Sequence, residues 1–260
     1  MPAKKPYRLL NNSRFYILAS SALISLLVIS YVRLQVSSDQ VFYIRSEQLF
    51  GLLSIMYWYV ALIISPLGYA VGKQRLVHLA FARRAIGVSA CYFAALHISI
   101  ATWGQLGGMS GIAHLPDSFK LSMTGGFIAF IILFLMAMTS FDRVISFMTF
   151  RRWKWLHRLV YAGGILAVLH IWSVGTHLSY SPVQICAFIA LSLLVGLESF
   201  RLVTLAAKEY VELQSKDYFY TLVITIWLAG SVALFAIPGL IKNYHSSHHG
   251  THMNSAEITK

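Results

Sequence analysis

Seven stretches of this chain, residues 15–32, 50–71, 85–103, 121–141, 155–174, 183–200 and 218–241, are apolar over nearly their whole length. A helix that crosses the hydrocarbon core of a bilayer needs roughly 20 mainly apolar residues, each rising about 1.5 Å. Inside lipid, only a helix or a closed barrel satisfies every backbone polar group. The seven windows take up over half of the 260 residues. No connection between them approaches the roughly 50 residues that an independent domain requires. The sequence therefore predicts an all-α membrane protein, a polytopic bundle of about seven transmembrane helices, with any chemistry placed inside the bundle or at its rims.

The formal net charge of +12 points at first to nucleic acid, but its distribution excludes that reading. Lys4, Lys5, Arg8, Arg14, Lys73, Arg75, Arg83, Arg84, Arg143, Arg151, Arg152, Lys154, Arg201, Lys208 and Lys216 fall on one set of alternate connections. The other set holds only Arg33, Arg45, Lys120, Lys242 and Lys260, and Arg158 lies in the first turn of the fifth window. Cytoplasmic loops carry the excess of Lys and Arg. The expected partner of the surface is thus membrane lipid and no nucleic acid, with the N-terminus cytoplasmic and the C-terminus outside. The first window is long for a secretory signal, and no small-x-small cleavage site precedes residues 35–40, so it is read as a retained helix.

Motifs for soluble cofactor domains are missing. No phosphate-binding loop with a lysine occurs, and the glycine-rich run at 104–111 reads as a flexible connection. Cys91 and Cys186 lie inside apolar windows, where a small buried side chain is the expected role.

Three of the ten histidines need explaining: His97, His157 and His170 lie within apolar windows or at their mouths. Lipid offers an imidazole no partner, so such a residue is a functional candidate, the alternative being a neutral ring hydrogen-bonded to a neighbouring helix. Windows three and five run in the same direction, and His97 and His170 both lie beyond the middle, towards the outer face. Two neutral imidazoles converging from two helices suit a planar iron porphyrin, which takes one axial nitrogen from each side. Zinc or copper would require three or four ligands, and no thiolate or carboxylate stands ready in these windows. Heme b is the expected cofactor.

His157 precedes His170 by thirteen residues, about 20 Å of helical rise, which places it near the cytoplasmic boundary. On an uninterrupted helix the two rings would point about 140° apart. Either they serve different sites or the helix is distorted, and the Gly163–Gly164 pair offers a place for a kink. At the inner level Arg83, Arg84 and Arg158 are candidates to pair with heme propionates, the alternative being that they mark the cytoplasmic side.

The runs RRWKWLHRLVYAGGILAVLHIWSV (151–174), RRAIGVSACYFAALH (83–97) and ALIISPL (61–67) resemble the ferric-reductase-like transmembrane family, with Trp153, Leu156, His157, Val160 and Tyr161 carrying the signature. The resemblance implies a b-type cytochrome subunit of the bacterial inner membrane. Such a subunit relays electrons from the cytoplasmic or quinone side to a periplasmic molybdopterin reductase that repairs oxidised methionine. It implies that His97 and His170 are axial ligands of one heme and that His157 is a ligand of an inner heme. A second heme stays open, because the inner level of the third window offers Arg83 and Arg84 in place of a histidine. Donors consistent with this are quinol or a cytoplasmic flavin reductase, and FMN is a further candidate cofactor. The implied organisation is an N-terminal part with the first helix and an outer loop (1–49), a ferric-reductase-like heme-binding helical core (50–203), and an added helix with a His-rich periplasmic tail (204–260).

The alternatives are a ferric or cupric metalloreductase or oxidase component working with a separate flavin reductase, and a metal-ion permease. The permease reading is weakened because Glu198 is the only acidic residue within the seven windows. His245, His248, His249 and His252 in the tail are read as a flexible, solvated terminus with adventitious metal affinity, and His177 as a solvated loop residue.

Overall fold

The computed structural model describes residues 7–175, 180–210 and 215–257, and His177 lies outside them. The described residues are helical and joined by turns, with no strand among them. The long helices are α1 (Tyr7–Gln35), α2 (Asp39–Val71) and α3 (Val77–Ser99), which continues as a π-helical turn over Ile100–Gln105. The short α4 (Met109–Ala113) leads to α5 (Asp117–Met138), α6 (Asp142–Phe147) and α7 (Phe150–Leu156), followed by α8 (Leu159–Val174), α9 (Ser181–Ala206) and α10 (Lys216–Glu257). Seven helical segments are long and apolar enough to cross a membrane: Arg14–Gln35, Asp39–Val71, Gln74–Gln105, Asp117–Met138, Arg151–Val174, Ser181–Ala206 and Lys216–Ile241. The chain is a polytopic helical membrane protein.

The helices differ from the apolar windows where backbone hydrogen bonding, not apolarity, sets the boundary. α2 starts at Asp39, eleven residues before the second window, because a helix propagates through polar residues once nucleated and an acidic first turn complements its dipole. Arg33 closes on Asp39 at 2.6 Å, fastening the end of α1 to the start of α2. The consequence for function is that Glu47 becomes a helical residue. α2 stops at Gly72, whose φ of 96° is open to glycine at no steric cost. At the other end of the chain, α10 carries the backbone on as helix to Glu257, where the sequence had predicted a flexible tail. No proline follows Pro238 to stop it.

The fifth window is not one helix. α7 ends at Leu156, the His157–Arg158 pair forms a turn, and α8 begins at Leu159. Across the turn the hydrogen bonds tighten to a three-residue step, from Arg158 N to Trp155 O (3.1 Å) and from Tyr161 N to Arg158 O (3.2 Å). The distortion allowed for at Gly163–Gly164 thus falls at His157 itself, and the 140° offset of an ideal helix does not apply.

The chain forms two compact units. The first takes residues 1–68, 72–115 and 127–164. In it α1 packs on α3, with the small residues of α3 admitting close approach: Ser21 Oγ donates to Ser89 Oγ (2.8 Å), and Ser25 Oγ lies 2.8 Å from Tyr92 OH. On the α2 side Ser54 Oγ donates to Ala90 O at 3.0 Å, and the buried rings of Phe50 and Phe93 stack at 6.2 Å.

The second unit takes residues 69–71, 116–126 and 165–260. Its centre is the α9–α10 pair, where Ser192 Oγ lies 2.9 Å from Ser231 Oγ and receives the Trp227 indole N–H at 3.0 Å. Gly196 and Gly230 allow this approach: a Cβ on Gly230 would stand 2.7 Å from Val195 Cγ1, whereas one on Gly239 would meet nothing within 4 Å. Gly230→Leu is therefore expected to cost about 1–3 kcal/mol through overpacking. Thermal melts in detergent, with Gly239→Leu as the unaffected comparison, check this.

Candidate functional site

His97 lies near the end of α3, in the first unit. Its Nδ1 is 3.0 Å from the main-chain carbonyl of Glu47 on α2. A carbonyl only accepts, so Nδ1 carries the proton and donates it, and Nε2 carries the lone pair. The same ring rests against Gly51, one helical turn after Glu47: a Cβ there would stand 3.0 Å from Nδ1 and 3.2 Å from Cε1. The register has a physical reason. A helical side chain leans towards the N-terminus and covers the turn before its own Cα. A side chain at position 51 would cover the Glu47 carbonyl, and glycine leaves it open. The Glu47 carboxylate comes within 3.7 Å of the same Nδ1, and the π-helical turn Ile100–Gln105 begins three residues beyond.

His170, on α8, repeats the arrangement in the second unit. Its Nδ1 lies 3.0 Å from the carbonyl of Ser122 on α5, with Ser122 Oγ at 3.5 Å. The ring rests against Gly126, again four residues after the accepting carbonyl, and a Cβ there would stand 2.8 Å from Nδ1 and 2.9 Å from both Cε1 and Cγ. Gly125 beside it meets nothing within 4 Å. Each imidazole is therefore fixed in tautomer and orientation by a carbonyl at position i and a glycine at i+4 of a neighbouring helix. Orientation through the second ring nitrogen is the usual support of a metal-bound histidine.

His157 is held differently. Its Nδ1 is 3.1 Å from Trp153 O on its own chain segment, an oxygen that also accepts its backbone N–H at 3.0 Å. Its ring lies on the Trp153 indole, with centroids 4.1 Å apart and planes 33° apart. Trp153 is fixed by its indole N–H on Thr139 O (3.1 Å) and by the Arg84 guanidinium 5.6 Å above its ring. Arg84 and Arg14 share the Asp142 carboxylate at 2.8 and 3.0 Å. Arg83 donates to Ala61 O at 2.8 Å, and both Arg83 and Arg84 act electrostatically on His157. Arg158 is elsewhere, lining an open cleft with Arg151, Lys154 and Trp155.

Whether these residues suit a heme is tested by their chemistry. Among the described residues no three His, Cys, Asp or Glu side chains gather as a metal-ion site, so imidazoles are offered singly, as axial ligation of a planar complex needs. Trp58 adds a second sign in the first unit. It is 5% exposed, its indole N–H has no hydrogen-bond partner among the described residues, and its ring lies against Gly163, where a Cβ would come within 3.2 Å. An orphaned buried donor is costly, and a bound group with an acceptor at its edge would relieve it. The residues fit.

The sequence located the three histidines but not what fixes them. Glu47 lay outside the apolar windows, and Ser122, Gly51, Gly126 and Trp153 Nε1 act through helix register across elements. The adjacent Gly125–Gly126 pair inside a spanning window was the one available signal.

Residues 49–168 match the family described as ferric reductase like transmembrane component. The matched stretch holds His97 and His157 and stops two residues before His170. The protein-methionine-sulfoxide reductase heme-binding subunit MsrQ of Ralstonia nicotianae is 33% identical over 140 residues, which cover 52% of this chain and 61% of that protein. The MsrQ of Bordetella pertussis is 36% identical over 114 residues (44% and 53%), and that of Herminiimonas arsenicoxydans 33% over 140 residues (52% and 62%). The chain spans little more than half the length of the curated relatives it matches. No solved structure matches it.

Proposed function

We propose, for a chain whose residues 49–168 match the ferric-reductase-like transmembrane family, that it is a b-type heme subunit relaying electrons across the inner membrane to a periplasmic acceptor. The observation that carries this is the repeated support of His97 and His170, each with Nδ1–H on a main-chain carbonyl and its ring against a glycine one turn later. Both rings thereby keep Nε2 for ligation, and His97 and His170 are assigned as heme b ligands, with the sharing of one heme between them resting on the family resemblance alone. A heme held by these residues would supply a one-electron iron centre, suited to relaying electrons. His157 is assigned to an inner level, where Arg83 and Arg84 provide positive charge for carboxylates such as heme propionates.

The relatives named as methionine-sulfoxide reductase subunits support a molybdopterin reductase of oxidised methionine as the acceptor. Quinol, or a cytoplasmic flavin reductase working through FMN, is the donor in this reading. The excess of Lys and Arg on alternate connections supports a cytoplasmic N-terminus and a periplasmic C-terminus.

The test is a dithionite-reduced minus oxidised spectrum of the purified protein, expected to show a b-type heme with both axial positions occupied. Absence of a heme band sinks the proposal. Rapid reoxidation of the reduced protein by ferric or cupric chelates, with none by a periplasmic reductase, would instead favour the metalloreductase that the family description also admits.

A further inference from the structure

α7 and the turn after it carry Arg151, Lys154, Trp155 and Arg158 at successive spacings of three, one and three residues, which places the four on one helical face. They line one open cleft. Among the described residues no acidic side chain shares its lining and no carboxylate pairs with Arg151, Lys154 or Arg158, whereas Arg14 and Arg84 in the same unit share the Asp142 carboxylate. Trp155 is 66% exposed and offers an apolar ring at the cleft. The cleft stands at the start of the membrane-crossing segment Arg151–Val174. Three uncompensated cations around an indole at the end of a spanning segment match the polar part of an anionic lipid: phosphate oxygens for the cations, and the headgroup–acyl boundary for the ring.

We infer that the Arg151–Lys154–Trp155–Arg158 cleft is a binding site for the phosphodiester headgroup of an anionic phospholipid. A soluble phosphate would meet the same cations but would leave the exposed Trp155 ring without an apolar ligand surface, so the lipid is the assigned source. Arg158 then belongs to this site and not to a cofactor.

Native mass spectrometry of the full chain, delipidated in detergent and supplied with phosphatidylglycerol or phosphatidylcholine of identical acyl chains, tests the assignment. The expected result is a preference for phosphatidylglycerol on the order of tenfold. The triple variant Arg151→Gln, Lys154→Gln, Arg158→Gln should lose it, with an unchanged thermal melt showing that the chain still folds. The double variant Arg143→Gln, Arg152→Gln removes two exposed cations that do not line the cleft and should keep it. Equal retention of the two lipids, an unaffected triple variant, or an equal loss in the double variant each overturns the assignment. Displacement of phosphatidylglycerol by millimolar inorganic phosphate would overturn the lipid source in favour of a soluble phosphate.

Discussion

Replacing His170 with alanine is expected to remove an entire heme from the purified protein, and replacing His97 with alanine is expected to remove the same one. Both imidazoles are held by their Nδ1 protons on the carbonyls of Ser122 and Glu47, which commits Nε2 of each to ligation. A bis-imidazole heme that loses one ligand loses half of its attachment to the protein, and the remaining position becomes open to exogenous ligands. The measurement is heme per protein by pyridine hemochrome, together with the reduced-minus-oxidised spectrum. His157→Ala should leave this heme in place, because its ring is held by Trp153 at a different level. His170→Gly supplied with free imidazole should recover the spectrum, which a merely misfolded protein would not do. An outer-level variant that kept its full heme and an unchanged spectrum would refute the pairing.

The second large effect is expected from a single methyl group. In Gly126→Ala the new Cβ would stand 2.8 Å from His170 Nδ1 and within 2.9 Å of Cε1 and Cγ, closer than real Cβ atoms come to anything. The imidazole is a rigid ring anchored on α8, so it must swing off the Ser122 carbonyl, and the loss leaves a buried N–H and carbonyl without each other. Supports of this kind typically change metal affinity by roughly 10- to 100-fold, which is the expected fall in heme retention. Gly125→Ala is the sharp comparison: its Cβ meets nothing within 4 Å, and alanine favours a helix by about 1 kcal/mol over glycine, so retention should be unchanged. Gly51→Ala should act on His97 in the same direction and less strongly, because its contact is 3.0 Å. Equal heme in the Gly125 and Gly126 variants would show that the ring does not depend on this support.

The two predictions differ in how far they were legible in the sequence. Lipid itself offers an imidazole no partner, so His97, His157 and His170 stood out as candidates by residue type and depth alone. The glycines did not. Gly51 and Gly126 matter because a helix exposes the carbonyl one turn before any position that lacks a Cβ, and only packing decides which histidine reaches that carbonyl. Gly163 and Gly164 illustrate the converse. As a pair between two histidines they invited a kink, yet the break came at His157–Arg158, where the three-residue hydrogen bonds lie.

Arg83, Arg84 and Arg158 looked equivalent as three inner-level cations. The fold separated them: Arg83 on the Ala61 carbonyl, Arg84 between Asp142 and the Trp153 ring, and Arg158 on the cleft with Arg151 and Lys154. Asp142, in a connection between spanning segments, gave no sign in the sequence that it would hold two arginines from α1 and α3.

By itself the sequence determined that the chain is a helical membrane protein with seven crossing segments. Apolar length and the cost of unsatisfied backbone in lipid admit little else. It also singled out the candidate side chains for the chemistry, since an imidazole placed in a bilayer is conspicuous in one dimension. Only the tertiary structure decided how those imidazoles are oriented, where the fifth crossing segment breaks and how differently the three arginines are held. Those outcomes depend on contacts between residues far apart along the chain, such as the 48 positions between Ser122 and His170, and composition and periodicity do not encode them.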